Sequence, residues 1–376
     1  MRARRPLLAS ILCAGVLSGC SLFATSSSGP APLPAATGVI KPTAAWSVAL
    51  GANSGPGFVP AIAGGSVWAA AADGTLTRVA LETGQVAWRI KAGKPLTAGV
   101  GSDGNLAVVA TRDGELRAFD AQGGFLWTAP VGAEVVTAPA VADGTVVVRA
   151  SDNRVLAFEA STGKRLWNYQ RQNPPLVLRN AGGIAVIPGT AFIGMPGGRL
   201  VALALNSGAP RWDVALAQPR GANELERIAD VVGTPLVIGR EICAVAYQGR
   251  IGCFELATGR LVWSQEFSSA TGFDVDDAGL VSADADDRVR AFDRRGQVGW
   301  RATGFDRRRL SAPFIAGASI AVGDREGRVL WFTRTDGVLG AVTATDGKPI
   351  IAPPVGVQGL VVVQTTGGSL HAWRLP

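Results

Sequence analysis

The chain repeats itself, and that repetition limits the fold more than any other property of the sequence. A unit of the form Gly-x-Leu/Val-x-Ala-Phe/Leu-x-x-x-Thr/Ser-Gly-x-x-x-Trp recurs, most clearly from Asn153 to Trp167, from Gly198 to Trp212 and from Gly249 to Trp263. Looser copies begin at Gly74, Gly114, Asp287 and Gly327, and a truncated copy begins at Gly368. The eight starts are spaced by 40, 39, 45, 51, 38, 40 and 41 residues. Short apolar runs alternate with turn signals such as Asp73-Gly74, Asp143-Gly144 and Gly197-Gly198, and no helical period is sustained. Four short strands in about 40 residues, repeated, predict the blades of a propeller. A lone four-stranded blade cannot cover both its faces, whereas blades stacked around an axis cover each other. The expected fold is therefore all-β: an eight-bladed β-propeller of four-stranded antiparallel blades.

The Trp of the unit falls on the outermost strand, after a Thr/Ser-Gly turn whose Gly supplies a positive φ. Its apolar face suits the wedge between neighbouring blades, and its indole N–H requires an acceptor. Trp46, Trp88, Trp127, Trp167, Trp212, Trp263 and Trp300 occupy this slot, while the eighth slot holds Ala341 and must be filled otherwise. These Trp are read as structural. Trp46 has no preceding three strands, and the C-terminus stops at a third strand. The two incomplete ends predict one composite blade, the strand around Trp46 pairing with Ser369–Arg374 to leave no open end.

The N-terminus reads as a targeting segment. Arg2, Arg4 and Arg5 precede an apolar stretch from Pro6 to Val16, too short to span a bilayer, which takes about 20 residues. Leu17-Ser18-Gly19-Cys20 resembles a bacterial lipobox. Residues 1–19 are expected to be removed and Cys20 to carry lipid; by analogy with known lipoproteins, Ser21 in place of Asp favours the outer membrane. Residues 21–44, rich in Ser, Gly, Pro, Ala and Thr with Lys41 as their one charge, are expected to form a flexible tether, with the propeller at 45–376. The formal charge of +7 includes three signal-peptide arginines; 33 basic residues then face 29 acidic ones, giving +4. That mild excess does not point to nucleic acid.

Two repeats are long, and the excess lies after the Trp, at roughly 168–183 and 218–232. These connections belong to consecutive blades and should emerge on the same end of the ring, where binding loops are expected. The first offers Leu176, Leu178 and Arg179; the second offers Arg220, Glu224, Glu226, Arg227 and Asp230. The leucines are either exposed anchors or local packing.

The repeat resembles that of quinoprotein-like propellers. The lipobox, the blade count, Leu176–Arg179 and the segment Glu226–Pro235 together resemble the BamB family, lipoproteins of the BAM machine that assembles outer-membrane β-barrels. The resemblance implies no enzymatic activity and no cofactor. It implies a chain held at the outer membrane by lipid, facing the periplasm, and bound to BamA through its POTRA domains. Carried over, the contact residues are Leu176, Leu178, Arg179 and Asp230. The family's second Asp is replaced here by Val232.

Other motifs carry less. Gly99-Val100-Gly101-Ser102-Asp103-Gly104 matches a dinucleotide fingerprint, but a strand follows where that motif needs a helix, so a hairpin turn is expected. Asp284, Asp286 and Asp287 suggest calcium, yet Arg295 stands at the twelfth position of such a loop. Arg307, Arg308 and Arg309 read as a solvated basic loop. A single histidine, His371, excludes multi-histidine metal sites and histidine triads. The alternative function is a quinoprotein dehydrogenase using pyrroloquinoline quinone, against which the chain has no adjacent cysteine pair and no quinone-capping segments. Cys243 and Cys253 flank the turn Tyr247-Gln248-Gly249. A three-residue turn with Gly249 left-handed would set them face to face for a disulfide, and a two-residue turn would put them on opposite faces.

Overall fold

The computed structural model describes residues 29–376 except 56, 173, 180, 181 and 358. Cys20 and the signal segment lie outside the described residues. Eight sheets of four antiparallel strands account for all the regular structure among the described residues. Blades 1 to 7 span 61–91, 101–130, 140–169, 184–215, 231–267, 273–302 and 314–344. In each, four consecutive strands pair in chain order, so the blade-to-blade connections and the turns between second and third strands share one face of the ring. The eighth blade joins Val355–Val357, Leu360–Gln364 and Ser369–Arg374 to the N-terminal strand Thr43–Ala49, which pairs with Ser369–Arg374 from Thr43↔Arg374 to Ala49↔Ser369. The ring is closed by chain from both ends.

Burial explains the sequence pattern. The second strand of each blade is sandwiched between neighbouring blades, so it is apolar on both faces; Leu106–Ala110 and Leu360–Gln364 are buried throughout. Outer strands alternate, as in Phe125–Pro130. Buried side chains fall into eight clusters, one at each junction; one of them joins Val155, Ala157 and Trp167 of blade 3 to Ala191, Ile193 and Leu203 of blade 4.

The Trp slot works across the junction. The indoles of Trp46, Trp88, Trp127, Trp167, Trp212 and Trp300 donate to the carbonyls of Leu81, Ala121, Ala160, Leu205, Leu256 and Arg334 in the following blade, at 2.7–3.2 Å. Each acceptor lies just before the turn Gly of that blade. That Gly has a second reason to be Gly: a Cβ on Gly163 would stand 2.5 Å from the Trp127 ring, and one on Gly337 2.2 Å from Trp300. Trp263 packs the same way on Gly296, but its indole N–H has no acceptor among the described residues.

Ala341 has its explanation in ring closure. The blade after it is the composite one, whose third and fourth strands come from opposite ends of the chain, so the turn that would receive a Trp does not exist. Ile40 takes the space, buried with Trp331, Ile350 and Trp373, Ala341 packing against them. This corrects the expected tether. Residues 29–42 run along blades 6 and 7: the amides of Ala31, Thr37 and Gly38 donate to the carbonyls of Asp306, Leu339 and Gly340 at 2.8–3.0 Å, and Leu33 packs at the junction of those blades. A segment of low apolar content is ordered here because the ring supplies backbone acceptors and one vacant wedge. Arg308 is a second correction. It is 2% exposed rather than solvated, and donates to Asp324 at 2.7 Å, to Glu326 at 2.9 Å and to the Ala31 carbonyl at 2.5 Å.

Candidate docking rim

The two long connections meet at one carboxylate. Asp230, 1% exposed, ends the second connection where blade 5 begins. Its Oδ2 accepts the Leu178 amide at 2.6 Å, its Oδ1 accepts the Gly197 amide at 3.0 Å, and its carbonyl accepts the Tyr247 amide at 2.8 Å. Arg149, also buried, donates to the Gly194 carbonyl at 2.8 Å. Burial pushes its guanidinium down to about 10, against the opposing pull of Asp230. The expected placement of Asp230 on the partner-facing surface is therefore corrected. It is a buried fastening that holds the Leu176–Arg179 segment to blades 4 and 5, because two amides at the ring face would otherwise lack acceptors.

The fastening separates the roles of the segment. Leu178 is half-buried against the cluster that contains Val232, Cys253 and Phe267, so it is local packing. Leu176 points outward, 42% exposed. The Arg179 side chain is 73% exposed, and its Nη2 donates to both oxygens of Glu134 at 2.8 and 2.9 Å. The rim thus presents an exposed apolar side chain and, three residues on, an exposed cation held by Glu134. Val136, Arg149, Asn153, Val177, Leu178 and Arg179 border a cleft of about 210 Å³ beneath it. Val232 lies in the core, 2% exposed, so it takes no part in the surface.

Two residues of this rim escaped the sequence reading. Glu134 is the sole charge in residues 131–142, which could have marked it. Leu225 is 68% exposed at the tip of the second connection. That tip is self-fastened: the Glu226 carboxylate accepts from the Ala222 amide and Asn223 Nδ2 at 2.7 and 2.8 Å, and Asn223 Oδ1 accepts the Glu226 amide at 3.0 Å.

The remaining motifs resolve into structure. Gly101–Ser102 and Leu106–Ala110 form a hairpin, with no helix after the glycines. Asp284 accepts the amides of Asp286 and Arg288 and pairs with Arg290, while Asp287 accepts the amides of Arg309 and Leu310. Cys243 and Cys253 are direct cross-strand partners joined by a disulfide, with Cα atoms 4.0 Å apart. The left-handed residue of their hairpin is Gln248, φ 48°, rather than Gly249. Gly249 serves close approach instead, since a Cβ there would lie 2.5 Å from that of Ala217. Glu241 beside the disulfide binds Arg294, so this cluster offers no thiolate to a metal. The lone histidine, His371, is half-buried and stacks on Trp373; burial lowers its affinity for a proton.

These features define a class: an eight-bladed propeller of four-stranded antiparallel blades, two of whose connections are long and fastened together at Asp230. The family described as outer membrane protein assembly factor BamB matches residues 72–295. A curated relative of that name from Bordetella pertussis is 42% identical over 359 residues, covering 94% of this chain and 93% of its own. Another from Burkholderia pseudomallei is 37% identical over 371 residues, covering 97% of each. The crystal structure of BamB from Moraxella catarrhalis superimposes with a TM-score of 0.81 at 26% identity, over 89% of this chain and 100% of that one. Quinohemoprotein alcohol dehydrogenase from Comamonas testosteroni shares the fold at 14% identity, with a TM-score of 0.69 over 90% of this chain and 77% of that one. The chain belongs to the BamB family of outer membrane protein assembly factors, which are not enzymes.

Proposed function

We propose that the chain is a lipoprotein scaffold of the BAM complex, anchored in the outer membrane through Cys20 and facing the periplasm. In this reading residues 1–19 are removed, and the propeller docks on the POTRA domains of BamA to aid insertion of outer-membrane proteins. The observation that carries the reading is the rim: Asp230 holds the loop at the Leu178 amide, and Leu176 and Arg179 on either side of that fastening are exposed. An exposed, directed arginine is the chemistry of an interface anchor, and the exposed leucine three residues before it adds apolar surface. Glu134 holds the guanidinium in place without burying it, so little is lost when a partner carboxylate takes over. No catalytic residue and no cofactor enters the scheme.

The test is co-purification of BamA with the tagged chain from detergent-solubilised envelopes. Arg179→Ala and Leu176→Ala should each weaken recovery, and the double variant should abolish it while its melting temperature stays that of wild type. Full recovery of BamA with the folded double variant would show the surface to be elsewhere.

A further inference from the structure

The second long connection carries an exposed leucine on a braced mount. Leu225 is the most exposed large apolar side chain among the described residues. A single exposed leucine is common on protein surfaces; what sets this one apart is the bracing beneath it. Within the turn, Glu226 and Asn223 bind each other and the Ala222 amide. Under the turn stands the hairpin of strands Glu241–Ala246 and Gly249–Glu255. At its tip the Gln248 side-chain amide donates to the carbonyls of Glu226 at 3.0 Å and Ile228 at 2.9 Å, and the Tyr247 backbone amide donates to the Asp230 carbonyl at 2.8 Å. The hairpin thus holds the second connection at three alternate carbonyls. It is anchored in turn by Ser268, whose Oγ accepts the Gln248 backbone amide at 2.9 Å, and by the Cys243–Cys253 bridge, five residues from Gln248 along either strand.

Gln248 holds this place at a backbone cost. Its φ of 48° lies in the left-handed region that L side chains largely avoid. Glycine or asparagine would make the turn with less strain, but neither is long enough to reach the carbonyls of Glu226 and Ile228. A strained residue kept for what its side chain holds points to function in the segment held. Asp230, which receives Tyr247, also receives the Leu178 amide, so the hairpin, the second connection and the Leu176–Arg179 segment form one braced unit.

We infer that Gln248 is a positioning residue for docking, and that Leu225, on the turn it braces, is a second contact with the partner of the rim. The inference rests on the docking reading above. Gln248 acts through the turn rather than by touching the partner. A side chain held in place before contact loses less conformational freedom on binding, so the brace turns apolar area into affinity. Glu224 and Arg227 flank Leu225 and pair with each other at 3.8 Å. The partner surface that fits is an apolar recess bordered by charges of both signs.

The test is recovery of BamA with the full tagged chain from detergent-solubilised envelopes at limiting bait, with the melting temperature of each variant measured alongside. Leu225→Ser should lower recovery about tenfold, the effect of one buried leucine. Gln248→Gly should lower it about threefold through the cost of ordering a loosened turn. Its melting temperature should stay at or above that of wild type, because glycine suits the left-handed backbone. Gln248→Asn, one methylene short, should match the glycine variant in recovery. Because Gln248 acts through Leu225, adding Gln248→Gly to Leu225→Ser should lower recovery no further. A brace that served stability alone would give the reverse, a lower melting temperature with full recovery, and that result overturns the inference. Losses that multiply in the double variant also overturn it. If Arg179→Ala lowers recovery while Leu225→Ser does not, the inference alone fails; if the wild-type chain recovers no BamA, the docking reading fails with it.

Discussion

Asp230 and Leu178 stand 52 residues apart in sequence and 2.6 Å apart in space, the carboxylate accepting the amide. The relationship divides the rim into a part that binds and a part that holds.

From that division, Asp230→Asn and Arg179→Ala should fail differently. The amide at 230 has one oxygen where the carboxylate has two, so either Leu178 or Gly197 loses its acceptor and Arg149 loses a nearby charge. The loss should be about 3 kcal/mol, seen in urea unfolding. Arg179→Ala should leave the unfolding midpoint unchanged and reduce only partner recovery. A marginal effect of Asp230→Asn on stability would contradict the fastening.

Arg308→Ala should be among the most damaging substitutions in the ring. It leaves Asp324, fully buried, as an unpaired charge, at about 3–5 kcal/mol. Arg325→Ala, on a half-exposed neighbour, is the comparison and should change stability little. Equal unfolding midpoints would refute the buried pair.

Ile40→Ala should cost about 2 kcal/mol or more by opening the wedge beside Ala341. Deleting residues 29–41 should lower stability further, whereas deleting 21–28 should not. Differential scanning calorimetry of the two truncations decides it, and identical transitions would mean that the strap contributes nothing.

The seven Trp are not equivalent. Trp167→Phe removes an indole donor and leaves the Leu205 carbonyl unpaired, which should cost about 1 kcal/mol more than Trp263→Phe, where no acceptor is lost. Unfolding midpoints of the two variants give the comparison directly, and the prediction is lost if Trp263→Phe is the more harmful.

The disulfide closes a short loop, so its reduction should lower stability by about 3 kcal/mol. Alkylation of the denatured, unreduced protein should label neither Cys243 nor Cys253.

The blades were legible because every unit states the same pattern, and a Trp and a Gly per unit mark the junction from both sides. Closure was legible because the missing strands at the two ends are complementary. Asp230 was not, since an aspartate in a polar connection looks solvent-facing until the amides that converge on it are placed by the fold. Arg308 misled for the same reason: its partners Asp324 and Glu326 lie in the next blade, and its two arginine neighbours suggested solvent. Composition misled at residues 29–42, where Ile40, Leu33 and a few backbone hydrogen bonds secure a stretch that has no apolar pattern of its own. Leu176 and Leu178 are indistinguishable in sequence and differ only through which side of the fastened loop each occupies.

The composite blade also sets an order of events. Among the described strands Thr43–Ala49 is the first in the chain, and its partner Ser369–Arg374 is the last. Seven blades can stack, each against its predecessor, but the first junction stays open until Ser369–Arg374 meets Thr43–Ala49. Contacts of such sequence separation form slowly. Through that interval the chain carries an unpaired strand at one end and an uncovered blade face at the other. A nascent propeller of this kind is a natural client for a chaperone until the moment its own end completes it.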